Sequence, residues 1–448
     1  MKILLILPHD TIYRYRGFVQ TLIGPYAPLT LVTLAALVPP ELDAQIDILD
    51  EGIQKPDYEG KDYDVVGITC VTPSANRAYE LAEYWRSRGA FVVLGGAHPT
   101  LTPDEAQQHA DAVVVGLAEE TWPQLLRDFK AGVAQKRYHA SYAGELSSPM
   151  PRRDLFPRLG YLPMPTVVAN RGCSNHCFFC VVNQGDYSRC VARPIPEVIE
   201  EIRSLRARHI MFLDPNLVSD REYAKDLLQA LIPLKLKWMA LAPSDITDDR
   251  ELFGLMVRSG CEGVMIGFES FSQASMDQNG KKFNQVKRYK EIVETLHRHG
   301  MVVSGCFVLG FDGDTPGILS RTAETVYDIN VDLPRYALLT PFPGSRLFTR
   351  FKNEGRLLTE DWPFYDSQHV VFQPKHMTPA QLQQVFSDTL KQSFSYRHIF
   401  HRARVAPHSQ LLSLMTNWGL RQALLASWKE EAEGAPALPA FAQEHVSP

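Results

Sequence analysis

Long apolar runs are missing from this 448-residue chain. None approaches the roughly eighteen residues that a helix needs to span a bilayer, which excludes a transmembrane segment. Basic tracts are missing too. With 46 lysines and arginines against 51 aspartates and glutamates, and a net charge of -5, the chain gives no electrostatic case for binding nucleic acid. The amino terminus, Met1 to Pro8, has one lysine and a short apolar stretch but neither a long hydrophobic region nor a small-residue cleavage site. It reads as a first strand and not as a signal peptide. Cysteines are few and odd in number, seven in all, which argues against a disulfide framework and for a reducing, cytoplasmic setting. A hydrophobic content of 45% is enough for sizeable cores in two or three domains.

Three of those cysteines, Cys173, Cys177 and Cys180, fall within eight residues of the stretch Asn170 to Val182. The β-prone run Pro165 to Ala169 precedes them, so the loop leaves the carboxyl end of a strand, where parallel α/β folds place their chemistry. Thiolates at this spacing converge on one centre, and soft sulfur ligands select zinc or an iron–sulfur cluster. Three ligands leave one iron of a four-iron cluster open to a substrate or cofactor. The other readings are a structural zinc with His176 as fourth ligand, or three unrelated buried thiols. Zinc sites usually pair ligands across a knuckle with a second, distant pair, and His176 abuts Cys177.

The Cys-x3-Cys-x2-Cys loop, with Phe179 just before its third cysteine, resembles the signature of the radical SAM superfamily. The resemblance implies a 4Fe-4S cluster on Cys173, Cys177 and Cys180, with S-adenosylmethionine chelating the open iron. One electron then cleaves the sulfonium to a 5'-deoxyadenosyl radical, so an external reductant such as flavodoxin or ferredoxin is implied.

Upstream, apolar runs Lys2–Leu7, Gln45–Leu49, Asp64–Thr69, Phe91–Leu94 and Ala112–Val115 alternate with helical stretches Leu29–Leu37, Pro73–Arg88 and Thr121–Phe129. This rhythm predicts an α/β, doubly wound, Rossmann-like parallel sheet over residues 1–140. A long loop, Pro8 to Pro28, carries Tyr13, Tyr15, Phe18 and Tyr26. Thr69, Gly95, Gly96 and Gly116 lie at strand ends, where such sheets bind ligands. Glycines there let the backbone approach a ligand closely, although each is also an ordinary turn residue.

The strings Leu94-Gly-Gly-Ala-His-Pro-Thr and Val115-Gly-Leu-Ala-Glu-Glu-Thr-Trp-Pro resemble the cobalamin-binding domain that precedes many radical SAM domains. The usual Gly-Glu-Gly of that subclass is replaced here by Gly116-Leu117-Ala118, and Glu119 follows. His98 is a candidate contact, either to cobalt or to a loop carbonyl. Asp-x-His-x-x-Gly, the string that donates a cobalt ligand in classical cobalamin proteins, does not occur. The resemblance therefore implies a lower cobalt face without histidine, with Thr72, Pro73 and Ser74 as the loop that faces it.

A polar, proline-bearing linker over 141–165 leads to six β/α units over 166–345, too few for a complete eight-unit barrel and open at one side. Polar residues at successive strand ends ring the cluster. The resemblance places Glu269 on the ribose or methionine part of S-adenosylmethionine, Asp214 and Asn216 near its amine, and Ser304 and Gly310 against adenine and methionine; a turn cap is the plain alternative for Glu269. Cys190, Cys261 and Cys306 read as small buried hydrophobes, with Cys306 able to face a substrate. Residues 346–448 are expected to be mainly helical, including a helix Pro379–Arg397 and a mobile tail.

The implied function is a cobalamin-dependent C-methyltransferase acting on an unactivated carbon of an apolar or planar small molecule, such as a lipid, tetrapyrrole or natural product. Hopanoid and bacteriochlorophyll methylases and the anaerobic magnesium-porphyrin cyclase are the groups it resembles, over residues 1 to 385. A non-methylating oxidation, cyclisation or rearrangement is the rival within enzymes, and a non-catalytic cobalamin or redox sensor the rival outside them. Transfer-RNA methylthiotransferases fit less well, because their first domain carries three cluster cysteines and this one has only Cys70.

Overall fold

The computed structural model describes residues 1–9, 26–140, 146–157, 160–182 and 190–433, with side chains to 425 in the last helix. Tyr13, Tyr15, Phe18 and the tail beyond 433 lie outside the described residues.

The first sheet has six parallel strands: β1 (Lys2–Leu7), β2 (Gln45–Asp50), β3 (Val65–Thr69), β4 (Phe91–Gly95), β5 (Ala112–Val115) and β6 (Arg137–His139). Their spatial order is β2-β1-β3-β4-β5-β6, so the chain reverses direction across the sheet at β1. Both faces are covered. Helix Ala75–Ser87 packs Ala78, Ala82 and Trp85 on one, while helices Thr30–Ala36 and Ala118–Ala131 pack Leu31, Ala35, Trp122 and Leu126 on the other. Strands buried on both faces explain the continuous apolar runs in the sequence. Strand β6 was not expected: Arg-Tyr-His is three residues long, and only Tyr138 is buried.

The second sheet orders its six parallel strands as β14-β13-β12-β11-β10-β7. They are β7 (Thr166–Val167), β10 (His209–Phe212), β11 (Lys237–Ala242), β12 (Cys261–Glu269), β13 (Val302–Leu309) and β14 (Leu333–Leu338). Between the first two, β8 (Asn170–Arg171) and β9 (Val191–Ala192) form a short antiparallel pair that brackets the cysteine loop. Alternation along the strands separates two faces. Val167, Ile210, Phe212, Trp238, Ala240, Val264, Ile266, Val303 and Phe307 enter the core beneath the helices. Met211, Met239, Leu241 and Met265 therefore line the inner face, a lumen open between β7 and β14.

The stretch expected as a linker is firmly docked. Glu201, fully buried, is held by Arg153 and Arg193 at 2.6 Å each, and Arg153 also donates to the Thr166 carbonyl at 2.7 Å. Tyr161 donates to Asp50 at 2.6 Å. In the carboxyl-terminal region the expected single helix is two, Pro379–Ser393 and Tyr396–Val405. Thr378 and Gln381 close a capping box at the start of the first. Ser395 is extended, with ψ 157°, and breaks the run.

Candidate active site

The cysteine loop is clamped at its start, middle and end. At its start, the Asp214 carboxylate accepts the backbone N–H of Ala169 at 3.1 Å and of Asn170 at 2.5 Å. Asp214 has no exposed surface; burial pushes its carboxyl up to about 7, while the two backbone donors pull it down. Asp214, expected near the amine of S-adenosylmethionine, turns its oxygens to the neighbouring strand, where they fix the direction of the loop. In the middle, Ser174 N–H donates to Ser219 Oγ at 2.7 Å, Phe178 N–H donates to the Asn279 carbonyl at 2.9 Å, and Arg346 donates to the His176 carbonyl at 2.6 Å. Near the end, Phe179 packs edge-on to Phe311, with ring centroids 5.4 Å apart.

Cys177 is 8% exposed, with Cys173 and Cys180 half-buried, and all three are free thiols. Burial pushes Cys177 up to about 11; Lys281 pulls it down, and Cys180, Glu269 and Cys173 raise it again. Cys180 is raised by burial first and also by Cys173. The loop therefore concentrates three soft, mutually repelling sulfur groups, a donor set that fits an iron–sulfur centre. Among the described residues no three His, Cys, Asp or Glu side chains close to metal-binding distance; the loop supplies proximity. Asn216 turns its Nδ2 to the Cys173 sulfur at 3.8 Å, and its Oδ1 accepts the Val218 N–H.

Glu269 ends β12 in the left-handed region, at φ 64°, and forms a buried ion pair with Lys281 at 2.5 Å. Lys281 also donates to the Gly267 carbonyl at 2.9 Å. Asn284 binds the carbonyls of Gly267 and Phe268 at 2.8 and 2.9 Å, so the Gly-Phe-Glu-Ser turn is held from behind. Lys281 was missed in the sequence; its only signal is a lysine twelve residues beyond a strand-end glutamate. Across the sheet, register puts Gly267, Cys306 and Arg335 at one level. Cys306 lies within electrostatic range of Glu269, Arg335 and Lys281. Arg335 is exposed on the edge strand and has no ion-pair partner among the described residues.

Ser304 and Gly310 lie on and just after β13. Ser304 Oγ donates to the Leu333 carbonyl at 3.2 Å, which ties two strands together. Gly310, at φ 109°, leaves room for the carboxyl-terminal helix: a Cβ there would lie 2.8 Å from Leu382.

On the first sheet, His98 is fully buried, with Nδ1 3.3 Å from Thr72 Oγ1 and Nε2 3.1 Å from the Tyr79 hydroxyl. Trp362 packs edge-on to it at 5.3 Å. Both ring nitrogens therefore have side-chain partners. Thr72, Pro73 and Ser74 form a buried turn, with Ser74 Oγ bonded to Val71. Gly96, at φ 96°, is required by crowding, because a Cβ would stand 2.7 Å from Thr69 Oγ1 and 2.8 Å from the Cys70 carbonyl. Gly95 and Gly116 remain partly accessible at the strand ends, Gly116 N–H donating to Thr100 Oγ1 at 3.0 Å.

Glu119, expected to touch a cofactor, joins the two sheets. Its side chain, 7% exposed at the start of helix Ala118–Ala131, pairs at 2.8 Å with Arg171, two residues before Cys173. Gly344 packs on Leu101 nearby. The carboxyl ends of both sheets thus face one another, where ligands of such folds bind.

Sequence comparison agrees with this geometry. The Radical SAM superfamily matches residues 167–326 and the B12 binding domain residues 24–126. The bacteriochlorophyllide d C-12(1)-methyltransferase of Chlorobaculum tepidum is 30% identical over 85% of each chain. The C-8(2)-methyltransferase of the same organism is 27% identical over 90% of this chain and 93% of its own. Among solved structures, the radical S-adenosylmethionine methyltransferase TsrM from Kitasatospora setae, with cobalamin and a [4Fe-4S] cluster bound, shares the fold at TM-score 0.64 and 16% identity, covering 86% of this chain and 81% of its own. No helix among the described residues is long and apolar enough to cross a membrane. The chain belongs to the radical SAM superfamily, as a cobalamin-binding enzyme that works with S-adenosylmethionine and a 4Fe-4S cluster.

Proposed function

We propose that this enzyme transfers a methyl group to an unactivated carbon of an apolar, planar small molecule, with a tetrapyrrole as the first candidate. The observation that carries the reading is the facing of the two sheet ends across the Glu119–Arg171 pair. It puts the cobalamin side and the cluster loop on opposite walls of one space. When bound, S-adenosylmethionine at the cluster supplies the hydrogen-abstracting radical and cobalamin the methyl group.

The chain's own residues then hold and orient. Cys173, Cys177 and Cys180 carry the cluster, with Phe179 packing the loop in place and Asn216 beside the first sulfur. Glu269, fixed by Lys281, stands over the lumen as an acceptor for ribose hydroxyls. Thr69, Gly95 and Gly116 form the rim of the cobalamin side. Met211, Met239, Leu241 and Met265 give the lumen an apolar wall that excludes water, and Arg335 offers a cation to an acidic group on the substrate's edge. Both Chlorobaculum relatives methylate a bacteriochlorophyllide by name, which supports this substrate class. A flavodoxin or ferredoxin supplies the two electrons that each turnover needs, one for cleavage of S-adenosylmethionine and one to restore the cobalamin, in the cytoplasm.

The test is anaerobic turnover of protein reconstituted with iron, sulfide and hydroxocobalamin, using methyl-labelled S-adenosylmethionine, a bacteriochlorophyllide and a low-potential one-electron reductant. The expected result is a labelled product, with S-adenosylhomocysteine and 5'-deoxyadenosine formed in equal amounts. Deoxyadenosine without labelled product would point instead to non-methylating chemistry. Absence of both would point to a sensor.

A further inference from the structure

Ten large apolar side chains stand exposed among the described residues, and six of them fall between residues 396 and 418. They are Tyr396, Phe400, Leu411, Leu412, Met415 and Trp418, with exposures from 41% to 65%. The clustering follows from two helices packed as a hairpin, Tyr396–Val405 and Gln410–Glu433. On the first, Tyr396, Phe400 and Arg404 recur every four residues on the outer face, while Ile399 and Ala403 turn inward. On the second, Leu411, Met415 and Trp418, spaced by four and then three residues, share the outer face. Tyr396 meets Trp418 with ring centroids 5.6 Å apart, so the two outer faces join into one surface. The inner face is anchored: Arg402 Nε donates to Asn417 Oδ1 at 2.7 Å, and Asn417 Nδ2 to the Asp332 carbonyl at 3.2 Å. The hairpin is thus fixed to the barrel with an apolar face turned outward. Scattered exposed apolar residues need no explanation, but a contiguous patch does.

Charge says what the patch meets. From Thr389 to Lys429 the sequence contains no aspartate or glutamate, yet it contains Lys391, Arg397, Arg402, Arg404, Arg421 and Lys429, in a chain whose net charge is -5. Arg397 also pairs with Glu324, and Arg402 is buried; Arg404 is exposed beside the apolar face. A cleft of ≈ 450 Å³ opens next to Tyr396, lined by Lys391, Ser395, Tyr396, Arg421 and Leu425. Arg421 donates to the Phe394 carbonyl at 2.7 Å, and its buried Nε has no hydrogen-bond partner among the described residues. Protein docking faces carry charges of both signs at their rims. Asp388 beside Lys391 and Glu324 beside Arg397 are the flanking carboxylates; a surface with aromatic and aliphatic side chains at its centre and an excess of cations around it suits the boundary of an anionic bilayer, where basic residues are attracted.

We propose that this hairpin docks the enzyme on an anionic lipid surface, with the six apolar side chains entering the interface and the cleft at Arg421 taking a phosphate headgroup. The inference is independent of which substrate is methylated.

The test is cosedimentation of the full chain, reconstituted anaerobically, with phosphatidylcholine vesicles and with vesicles of equal parts phosphatidylcholine and phosphatidylglycerol. Partition into the anionic vesicles that weakens as salt is raised is expected. The variant with Leu411→Asp, Leu412→Asp and Met415→Asp, all exposed positions, should keep the wild-type melting temperature and lose most of the partition. Arg404→Gln and Arg421→Gln should each weaken it by roughly fivefold. The proposal fails if the wild type partitions into neither vesicle, or if the triple variant partitions equally well. It also fails if light scattering shows the triple substitution dissolving a dimer that does not bind vesicles, or if binding appears only after residues 434–448 are removed. Those two outcomes would give the face to a second copy or to the chain's own tail.

Discussion

The two sheets of this chain share a building unit and a strand count, yet one makes a crevice and the other a lumen. In the first, the order β2-β1-β3-β4-β5-β6 reverses at β1, so helices cover both faces and two separate apolar clusters form. In the second, strands follow chain order from one edge to the other, helices lie on one face over one main cluster, and the opposite face is left as an inner wall. Strand order decides the kind of site, since a reversal splays neighbouring loops apart and a steady progression curls the sheet. The strand ends differ to match. Glycines stand at the ends of β4 and β5 of the crevice, Gly95 and Gly116, while buried carboxylates stand at or beyond three strand ends of the lumen, Asp214 after β10, Glu269 on β12 and Asp314 in the turn after β13.

If the two sites are separate in construction, each should be removable alone. Replacing Cys173, Cys177 and Cys180 with alanine should abolish bound iron and sulfide while cobalamin stays bound, as read by metal analysis and the visible spectrum; loss of both would show that the crevice depends on the cluster. Next in size is Lys281→Met, which strands the buried Glu269 carboxylate. It should cost about 3–5 kcal/mol in urea unfolding, and adding Glu269→Gln should recover much of that. Gly96→Ala is the counterpart on the first sheet. Its Cβ meets the Cys70 carbonyl at a left-handed φ, so a loss of about 1–3 kcal/mol is expected, with cobalamin retention reduced and iron unchanged. The smallest change in stability, about 1 kcal/mol or less, belongs to Arg171→Gln, which leaves Glu119 without its ion pair. Both cofactors should remain, and labelled product per deoxyadenosine should fall. An unchanged ratio would mean that the sheets need no tie at this point.

Much of the fold was legible because buried parallel strands are apolar throughout and end at polar or glycine residues. All six barrel strands showed themselves in this way. Strand β6 did not, since an edge strand with Arg137 and His139 looks like a polar loop. The cysteine loop was readable because ligand spacing is local in sequence. Roles that depend on where a side chain points were not. Asp214 has the sequence position of a ligand contact, but its carboxylate turns back to the amides of Ala169 and Asn170, and no periodicity distinguishes the two directions. His98 sits in a glycine-rich strand end, yet its partners Thr72 and Tyr79 come from other elements. Glu119 and Arg171 are 52 positions apart in the numbering and meet only through the docking of two sheets. Long-range ion pairs of this kind leave no trace in local pattern.

The open seam of the second sheet has one more consequence. Thr166 Oγ1 on β7 donates to the Ala27 carbonyl at 2.8 Å, and neighbouring Tyr26 lies within electrostatic range of Arg335 on β14. The segment that reaches both edges of the barrel therefore belongs to the crevice half of the chain. Substitutions at Tyr26 or Ala27 would therefore be felt at both edges of the opening at once, so the half of the chain that lacks the cluster loop helps to set what can enter the lumen.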